Sequence, residues 1–126
     1  MSRPKVADSC SSYTDGQCEE YIRETLAAAI ALTARPREDI LFWDPFCGSG
    51  TICIEAAMIA LNRAPGLNRS FGAQKWACVE DSVWQQARTE ALDREYRGEY
   101  RILGTDIDES ALDIAQHNAR LAGVGK

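Results

Sequence analysis

Two kinds of residue that suit ligand binding occur together in one short string. One is a carboxylate, and the other is glycine, whose missing side chain lets the backbone come close to a ligand. The string reads Asp44-Pro45-Phe46-Cys47-Gly48-Ser49-Gly50. A carboxylate here can accept a hydrogen bond from an ammonium group, and its charge disfavours a pyrophosphate. The string therefore predicts a site for a cofactor that carries positive charge, and an ordinary tight turn is the simpler alternative.

A second acid, Asp106, lies 56 positions after Gly50, within Gly104-Thr105-Asp106-Ile107-Asp108. An acid at the end of a strand can accept hydrogen bonds from the ribose hydroxyls of an adenosine-containing cofactor. Ile107 can then pack on the adenine. The alternative role for Asp106 is a helix N-cap, for which Asp108 is the better candidate. A nicotinamide-binding unit places its acid only about 20 residues on, and no P-loop pattern is present.

The elements that must position these residues alternate between helix and strand. This alternation predicts an α/β fold with a parallel, Rossmann-like sheet. Such sheets usually have five or six strands, so we expect an incomplete sheet of two or three strands with flanking helices. Strand 40–43 is a short apolar run, which is typical of a strand buried on both faces. The other predicted elements are helices 19–33, 51–62, 82–96 and 109–122, a loop at 62–77 and a strand at 100–107.

Local signals refine three of these helices. In the first helix, apolar residues spaced i, i+4, i+7 and i+8 form one apolar stripe: Ile22, Leu26, Ala29 and Ile30. Ser82 is predicted to be the N-cap of the third helix, and Gly123 to be the C-terminal cap of the fourth. The fourth helix is expected to bury one apolar face: Leu112, Ala115, Ala119 and Ala122.

The length of 126 residues fits a single domain. We expect a polar leader or linker at 1–18 and a partial cofactor-binding domain at 19–126. The five cysteines are odd in number and form no Cys-x-x-Cys, so free thiols are expected rather than disulfides or a metal site. No signal peptide or membrane-spanning stretch is seen, and we expect a cytoplasmic protein. The net charge of −5 differs from the positive charge that is typical of nucleic-acid-binding domains. Any binding of nucleic acid must therefore come from a local basic patch or from residues outside this chain.

The string Asp-Pro-Phe-Cys-Gly-Ser-Gly-Thr, followed by Ile-Glu-Ala-Ala, resembles motif I of a known family. These are the Rossmann-fold RNA methyltransferases that accompany THUMP domains, which include bacterial enzymes that methylate the exocyclic amine of guanine in ribosomal RNA. The resemblance covers about residues 20–124. It extends to the helix around 23–29, to the insertion 64–76 and to the acidic motif 104–108. Motif I alone is shared with DNA amino-methyltransferases, and the insertion makes the resemblance more specific.

The resemblance implies that S-adenosylmethionine is the cofactor and RNA the partner of the full-length protein. It implies that Asp106 holds the ribose and Ile107 the adenine, and that Arg23 to Thr25 lie near the edge of the pocket. The insertion's Asn68, Arg69 and Trp76 would face RNA, or else form a structural loop anchored by a buried tryptophan. The methionine side of the cofactor would be lined by one consecutive set: Asp44, Phe46, Cys47, Gly48, Ser49, Gly50 and Thr51.

The sequence departs from the family in two places. Glu20-Tyr21-Ile22 stands where Ala-Pro-Leu is common, and no Asn/Asp-Pro-Pro-aromatic string occurs. That string accepts hydrogen bonds from the target amine, so no catalytic residue is assigned, and we expect the chain to be inactive alone. His117, the only histidine, is expected to be a solvated or hydrogen-bonded helix residue rather than a catalytic base. The alternatives are a fragment of a DNA adenine or cytosine amino-methyltransferase and a non-catalytic interaction module.

Overall fold

The computed structural model describes residues 22–125. The predicted alternation of helices and strands is confirmed there, while the predicted leader at 1–18 lies outside the described residues. A 3-10 turn at Gly72–Lys75 interrupts the predicted loop. The other elements, in chain order, are α1 (Glu24–Ala34), β1 (Leu41–Asp44), α2 (Thr51–Ala60), α3 (Asp81–Asp93), β2 (Arg101–Gly104) and α4 (Glu109–Ala122).

The two strands form a parallel pair, which confirms the predicted fold class. Leu41 pairs with Arg101 at one end of the register, and Asp44 pairs with Gly104 at the other. The loops that follow β1 and β2 therefore leave the sheet side by side at its carboxyl edge. Strand β2 is shorter than the predicted 100–107, because the backbone beyond Gly104 turns toward the loop that follows β1.

The prediction that β1 is buried on both faces is wrong for the described part of the chain. Leu41 and Trp43 are 45% and 58% exposed, and Leu103 on β2 is 45% exposed. Alternate residues of a strand point to opposite faces, and helix α2 packs against both strands from one side only. Within residues 22–125 nothing covers the other face, so Leu41, Trp43 and Leu103 remain accessible.

Helix α2 is the centre of the packing. It is buried almost all round, as its sequence predicts, and Ile54 and Met58 form the core cluster with Ala122 of α4. Helix α1 packs against α2 through Ala27 and Ala31, both 0% exposed. These alanines stand four residues apart and let the two helix backbones approach closely.

Two predictions about helix faces and ends are wrong. The apolar stripe predicted for α1 does not form the contact, since Leu26 is 55% and Ile30 42% exposed. The smaller alanine face replaces it because close approach to α2 favours short side chains. Helix α3 begins one residue before Ser82, and its N-cap is Glu80. Ser82 instead donates its hydroxyl to the Glu80 carboxylate from within the first turn.

Helix α4 has the bounds predicted for it. Asp108 is its N-cap, and its carboxylate accepts the Ser110 backbone N–H at 2.9 Å. Gly123 ends the helix with a φ of 75°, the left-handed conformation that favours glycine at this place. Among the described residues no helix combines the length and apolar character needed to cross a membrane.

Candidate functional site

The two motifs singled out in the sequence meet at the carboxyl edge of the sheet. We call 45–50 the glycine loop and 105–108 the acidic loop. The Cys47 N–H donates to the Thr105 carbonyl at 2.9 Å, and the Thr105 N–H donates to the Asp44 carbonyl at 2.9 Å. The Gly48 N–H donates to Oδ2 of Asp106, also at 2.9 Å. The glycine loop and the acidic carboxylate thus form one continuous surface rather than two separate sites.

The Asp106 carboxylate is fixed by backbone donors on both oxygens. Its Oδ1 accepts the Asp108 N–H at 3.0 Å, and its Oδ2 accepts the Gly48 N–H. These two hydrogen bonds, the Asp108 bond being the larger cause, hold the pKa of Asp106 below its usual range. An ionised carboxylate has about four lone-pair sites, so the side chain keeps room for further donors. Because Asp108 caps α4, Asp106 is left available for a ligand.

Two large apolar side chains flank this carboxylate in the open. Phe46 is 86% exposed and Ile107 101% exposed. Phe46 is the second residue after β1, in the glycine loop, and Ile107 is the third residue after β2, in the acidic loop. Exposed apolar groups beside a few fixed polar groups are typical of a small-molecule site. Asp44 completes this edge, and its Oδ1 accepts the Phe46 N–H at 3.1 Å.

The two glycines of the loop serve different needs. Gly48 has a φ of 51°, and a Cβ added there would have no atom within 4 Å, so this position is open toward the site. Gly50 has a φ of 82° and is the N-cap of α2. A Cβ at Gly50 would lie 2.9 Å from the Cβ of Ala115, because α4 packs directly on the loop. Gly50 therefore supports the packing of the site, while Gly48 leaves its surface open.

The side chains of three predicted site residues point into the protein. Cys47, Ser49 and Thr51 are 8%, 4% and 2% exposed. The hydroxyls of Ser49 and Thr51 lie 3.2 Å apart and share a hydrogen bond. Their side chains hold the loop in shape, so any contact of these three residues with a ligand must come from their backbone.

Asn118 joins this region and was missed in the sequence. It is 1% exposed on α4, and its Nδ2 donates to the Ser49 carbonyl at 3.2 Å. A signal was available, because Asn118 lies three residues after Ala115 and four before Ala122, on the apolar face of α4. A polar residue on such a face indicates a hydrogen bond to a neighbouring element. His117 beside it is exposed, as predicted.

The insertion is not anchored by a buried Trp76, the structural alternative predicted for it. Trp76 is 63% exposed, so it is not a buried anchor. The ring of Phe71 instead stacks on Trp84 of α3 with centroids 5.8 Å apart, and the Arg69 guanidinium lies 4.7 Å from the centroid of Phe71. Arg88 of α3 donates to the carbonyls of Leu67 and Arg69. That Asn68, Arg69 and Trp76 face RNA, and that Arg23 to Thr25 border the pocket, stay predictions.

Two thiols, one on the glycine loop and one on α2, face a cavity between the helices. Cys47 and Cys53 line an open cavity of about 570 Å³ between α2, β2 and α4, together with small residues such as Gly50, Gly104 and Ala115. This cavity does not include Asp106 or Ile107 and belongs to the packing between the helices. Burial, followed by the charge of Asp44, raises the pKa of Cys53 to about 12. Burial likewise raises the pKa of Cys47.

These pKa shifts predict the order in which the described cysteines react. A raised pKa keeps the thiol protonated, and only the thiolate is a good nucleophile. We expect iodoacetamide at pH 8 to modify the exposed Cys78 at least about tenfold faster than Cys47 or Cys53. Peptide mapping by mass spectrometry over a time course measures the three rates. Equal rates at Cys53 and Cys78 in the folded protein would contradict the burial of Cys53, and urea serves as the control that should equalise them.

Comparison with known proteins shows what the chain is similar to. The family described as "RMKL-like, methyltransferase domain" matches residues 12–126. A Bacillus subtilis protein named "Putative RNA methyltransferase YpsC" is 45% identical over 105 residues, which cover 82% of this chain and 27% of that protein. The chain therefore spans about a quarter of the length of this curated relative.

Solved structures of methyltransferases share the fold. A structure described as a "predicted N6-adenine-specific DNA methylase" from Listeria monocytogenes superposes with a TM-score of 0.86 at 44% identity and covers 90% of this chain and 30% of that one. A second, "SMU.472, a putative methyltransferase complexed with SAH", has a TM-score of 0.80 at 40% identity over 90% of this chain and 31% of that one. Each of these similarities covers 90% of this chain.

Proposed function

This chain belongs to the RMKL-like methyltransferase domain family, and on that premise we propose that it forms the S-adenosylmethionine seat of an RNA methyltransferase. The full-length protein would methylate an exocyclic base amine, with guanine in ribosomal RNA as the first substrate to examine. One observation carries the proposal. The Gly48 N–H bonds to the Asp106 carboxylate, which joins the glycine loop and the acidic loop into a single seat.

The residues of the seat suit S-adenosylmethionine. The ionised Asp106 carboxylate has acceptor capacity for the two ribose hydroxyls, and the exposed Ile107 offers an apolar surface for adenine. Asp44, at the end of β1, supplies negative charge for the cationic methionine end. The open position at Gly48 leaves space for a ligand over the loop backbone. A similar methyltransferase structure is complexed with SAH, the demethylated form of this cofactor.

Only cofactor binding, and no step of methyl transfer, is assigned to the residues of this chain. When bound, S-adenosylmethionine supplies an electrophilic methyl group on its sulfonium sulfur. The chain's own residues would bind and orient the cofactor. Asp106 would accept hydrogen bonds from the ribose, Asp44 would attract the ammonium group, and the glycine loop would set how closely the cofactor approaches the backbone. Alignment of this kind lowers the barrier by holding the reacting atoms in a productive arrangement. We assign no catalytic residue to the chain, whose sequence contains no Pro-Pro pair.

A second candidate is methylation of an adenine or cytosine amine in DNA. The Listeria structure, described as a DNA methylase, favours it. RNA is the first proposal because the Bacillus relative is named for RNA and because the insertion around Arg69 and Trp76 resembles that of RNA methyltransferases. In either nucleic acid the amine is reached most readily in a single strand or a flipped base.

The test is a methyl-transfer assay on the full-length protein with radiolabelled S-adenosylmethionine. The substrates are unmodified ribosomal RNA, duplex DNA and single-stranded DNA of matched length. We expect label in RNA, appearing as N2-methylguanosine after digestion to nucleosides. Label only in DNA as methyladenine or methylcytosine would support the second candidate and contradict the first. Cofactor binding without transfer to any of the three substrates would contradict both and favour a non-catalytic module.

A further inference from the structure

Asn118 is a buried polar side chain in an otherwise apolar contact. It is the largest side chain with almost no exposure among the described residues, and Ala115, Ala119 and Ala122 share its face of α4. Its Oδ1 is buried without a hydrogen-bond partner among the described residues, so only its Nδ2 is used. Burying an unpaired amide oxygen costs stability. Packing alone would therefore favour an apolar residue of similar size, and the gain from asparagine must lie in its one bond.

That bond ends at the most constrained point of the glycine loop. Its acceptor is the carbonyl of Ser49, which stands between Gly48 and Gly50, both in left-handed conformations. The loop has two further ties to the second half of the chain, at Thr105 and Asp106. Both of those come from the acidic loop, whereas Asn118 reaches the glycine loop from the body of α4.

Helix α4 therefore connects the two halves of the seat. Its first residue directly follows Asp108, so its N-terminus sets the position of the Asp106 carboxylate. About one and a half turns further on, Ala115 packs under Gly50. About two and a half turns from the start of the helix, Asn118 donates to the carbonyl of Ser49, the residue before Gly50. A single helix thus contacts the acidic loop through its N-terminus and the glycine-loop backbone through its middle turns.

We propose that Asn118 is a positioning residue for the cofactor. Its hydrogen bond to the Ser49 carbonyl fixes the position of the glycine-loop backbone against which the methionine part of S-adenosylmethionine binds. This inference rests on the proposed cofactor seat. It assigns Asn118 to the methionine side, while Asp106 and Ile107 serve the adenosine. Loss of the Asn118 bond should therefore weaken ligands that contain the amino-acid part and spare those that lack it.

The test compares two ligands on the full-length protein by titration calorimetry. S-adenosylhomocysteine occupies the whole seat, whereas adenosine occupies only the side of Asp106 and Ile107. Asn118→Leu keeps the number and branching of the side-chain heavy atoms and removes the donor, and Asn118→Ala removes the whole amide. We expect each variant to weaken S-adenosylhomocysteine about tenfold and adenosine less than about twofold. The control is His117→Leu on the exposed face of α4, which should change neither affinity.

Two readouts without substrate turnover separate positioning from general support of the fold. We expect Asn118→Leu to leave the thermal midpoint within about 3 °C of the parent, because it also removes the buried unpaired oxygen. Hydrogen exchange of the backbone amides of 48–50 should become faster, while exchange in α1 stays the same. Unchanged affinity for S-adenosylhomocysteine in both variants would overturn the proposal. So would an equal loss for both ligands that is accompanied by a fall in the thermal midpoint.

The experiment also distinguishes failure of this inference from failure of the proposed function. If the parent protein binds neither ligand, the cofactor seat itself is refuted. In that case the exchange of the loop amides, measured without ligand, still decides whether Asn118 holds the loop. If the parent binds both ligands and the Asn118 variants bind them equally well, the seat stands and only the positioning role falls.

Discussion

Replacement of Asp106 by alanine is expected to weaken S-adenosylhomocysteine binding by at least about 100-fold, because ionised acceptors make the strong hydrogen bonds of such a seat. The substitution removes the acceptors for the ribose hydroxyls. It also frees the Gly48 N–H and the Asp108 N–H, both of which now bond to this carboxylate. Titration calorimetry on the full-length protein measures the change.

Asp113→Ala is the matched control for Asp106→Ala. It removes an exposed carboxylate from α4, the helix that follows the acidic loop, and should leave the affinity unchanged within about twofold. Asp106 has a lowered pKa, so its contribution is present above its ordinary pKa and is lost only as the pH falls through the lower, folded value. Affinity should therefore be level from pH 8 to about pH 5 as far as Asp106 is concerned. Equal affinities in the Asp106 and Asp113 variants would refute the ribose role.

Gly50→Ala is expected to lower the free energy of unfolding by about 2–4 kcal/mol. The backbone at Gly50 has a φ of 82°, and the left-handed region costs an L-residue roughly 1–2 kcal/mol. The added methyl would also lie 2.9 Å from the Cβ of Ala115, and overpacking of this kind costs about 1–3 kcal/mol. Urea denaturation of the full-length protein, followed by the fluorescence of its tryptophans, measures the loss.

Two further glycines divide this effect into its parts. Gly48→Ala carries the conformational cost without a collision, since nothing lies within 4 Å of its added Cβ, and should lose about 1–2 kcal/mol. Gly72→Ala has neither cost and should stay within about 0.5 kcal/mol of the parent. If Gly50→Ala proved as mild as Gly72→Ala, α4 would not pack on the loop in the way described.

The sequence predicted those elements whose local signals agree with their packing. Helix α4 carries an N-cap, an amphipathic face and a terminal glycine, and the structure has it over the predicted 109–122. Helix α2 is apolar nearly all round and is the buried centre of the fold. The order of strands and helices also sufficed to predict a parallel sheet, and the family to which the chain belongs agrees with the predicted cofactor class.

The failures come from contacts between elements, which no local pattern contains. The face that α1 buries depends on how closely α2 approaches, and the small side chains of Ala27 and Ala31 replace the larger stripe of Leu26 and Ile30. The exposure of Trp43 depends on which elements pack against each face of the sheet. Composition of the strand alone cannot supply that information.

The sequence predicted that the glycine loop and Asp106 serve one cofactor, but not the contacts that join them. Sequence spacing could not reveal that the Gly48 N–H reaches Asp106 across 58 positions. It also could not separate the open residues of the seat, such as Phe46 and Ile107, from Ser49 and Thr51, whose side chains point inward. This division arises because the loop folds back on itself before α2 begins.

The most direct test of the central claim is a crystal structure of the full-length protein with S-adenosylhomocysteine. We expect both ribose hydroxyls within hydrogen-bond distance of the Asp106 carboxylate, adenine against Ile107, and the homocysteine chain over Gly48. A ligand bound elsewhere, with the Asp106 oxygens still occupied only by the N–H groups of Gly48 and Asp108, would contradict the account.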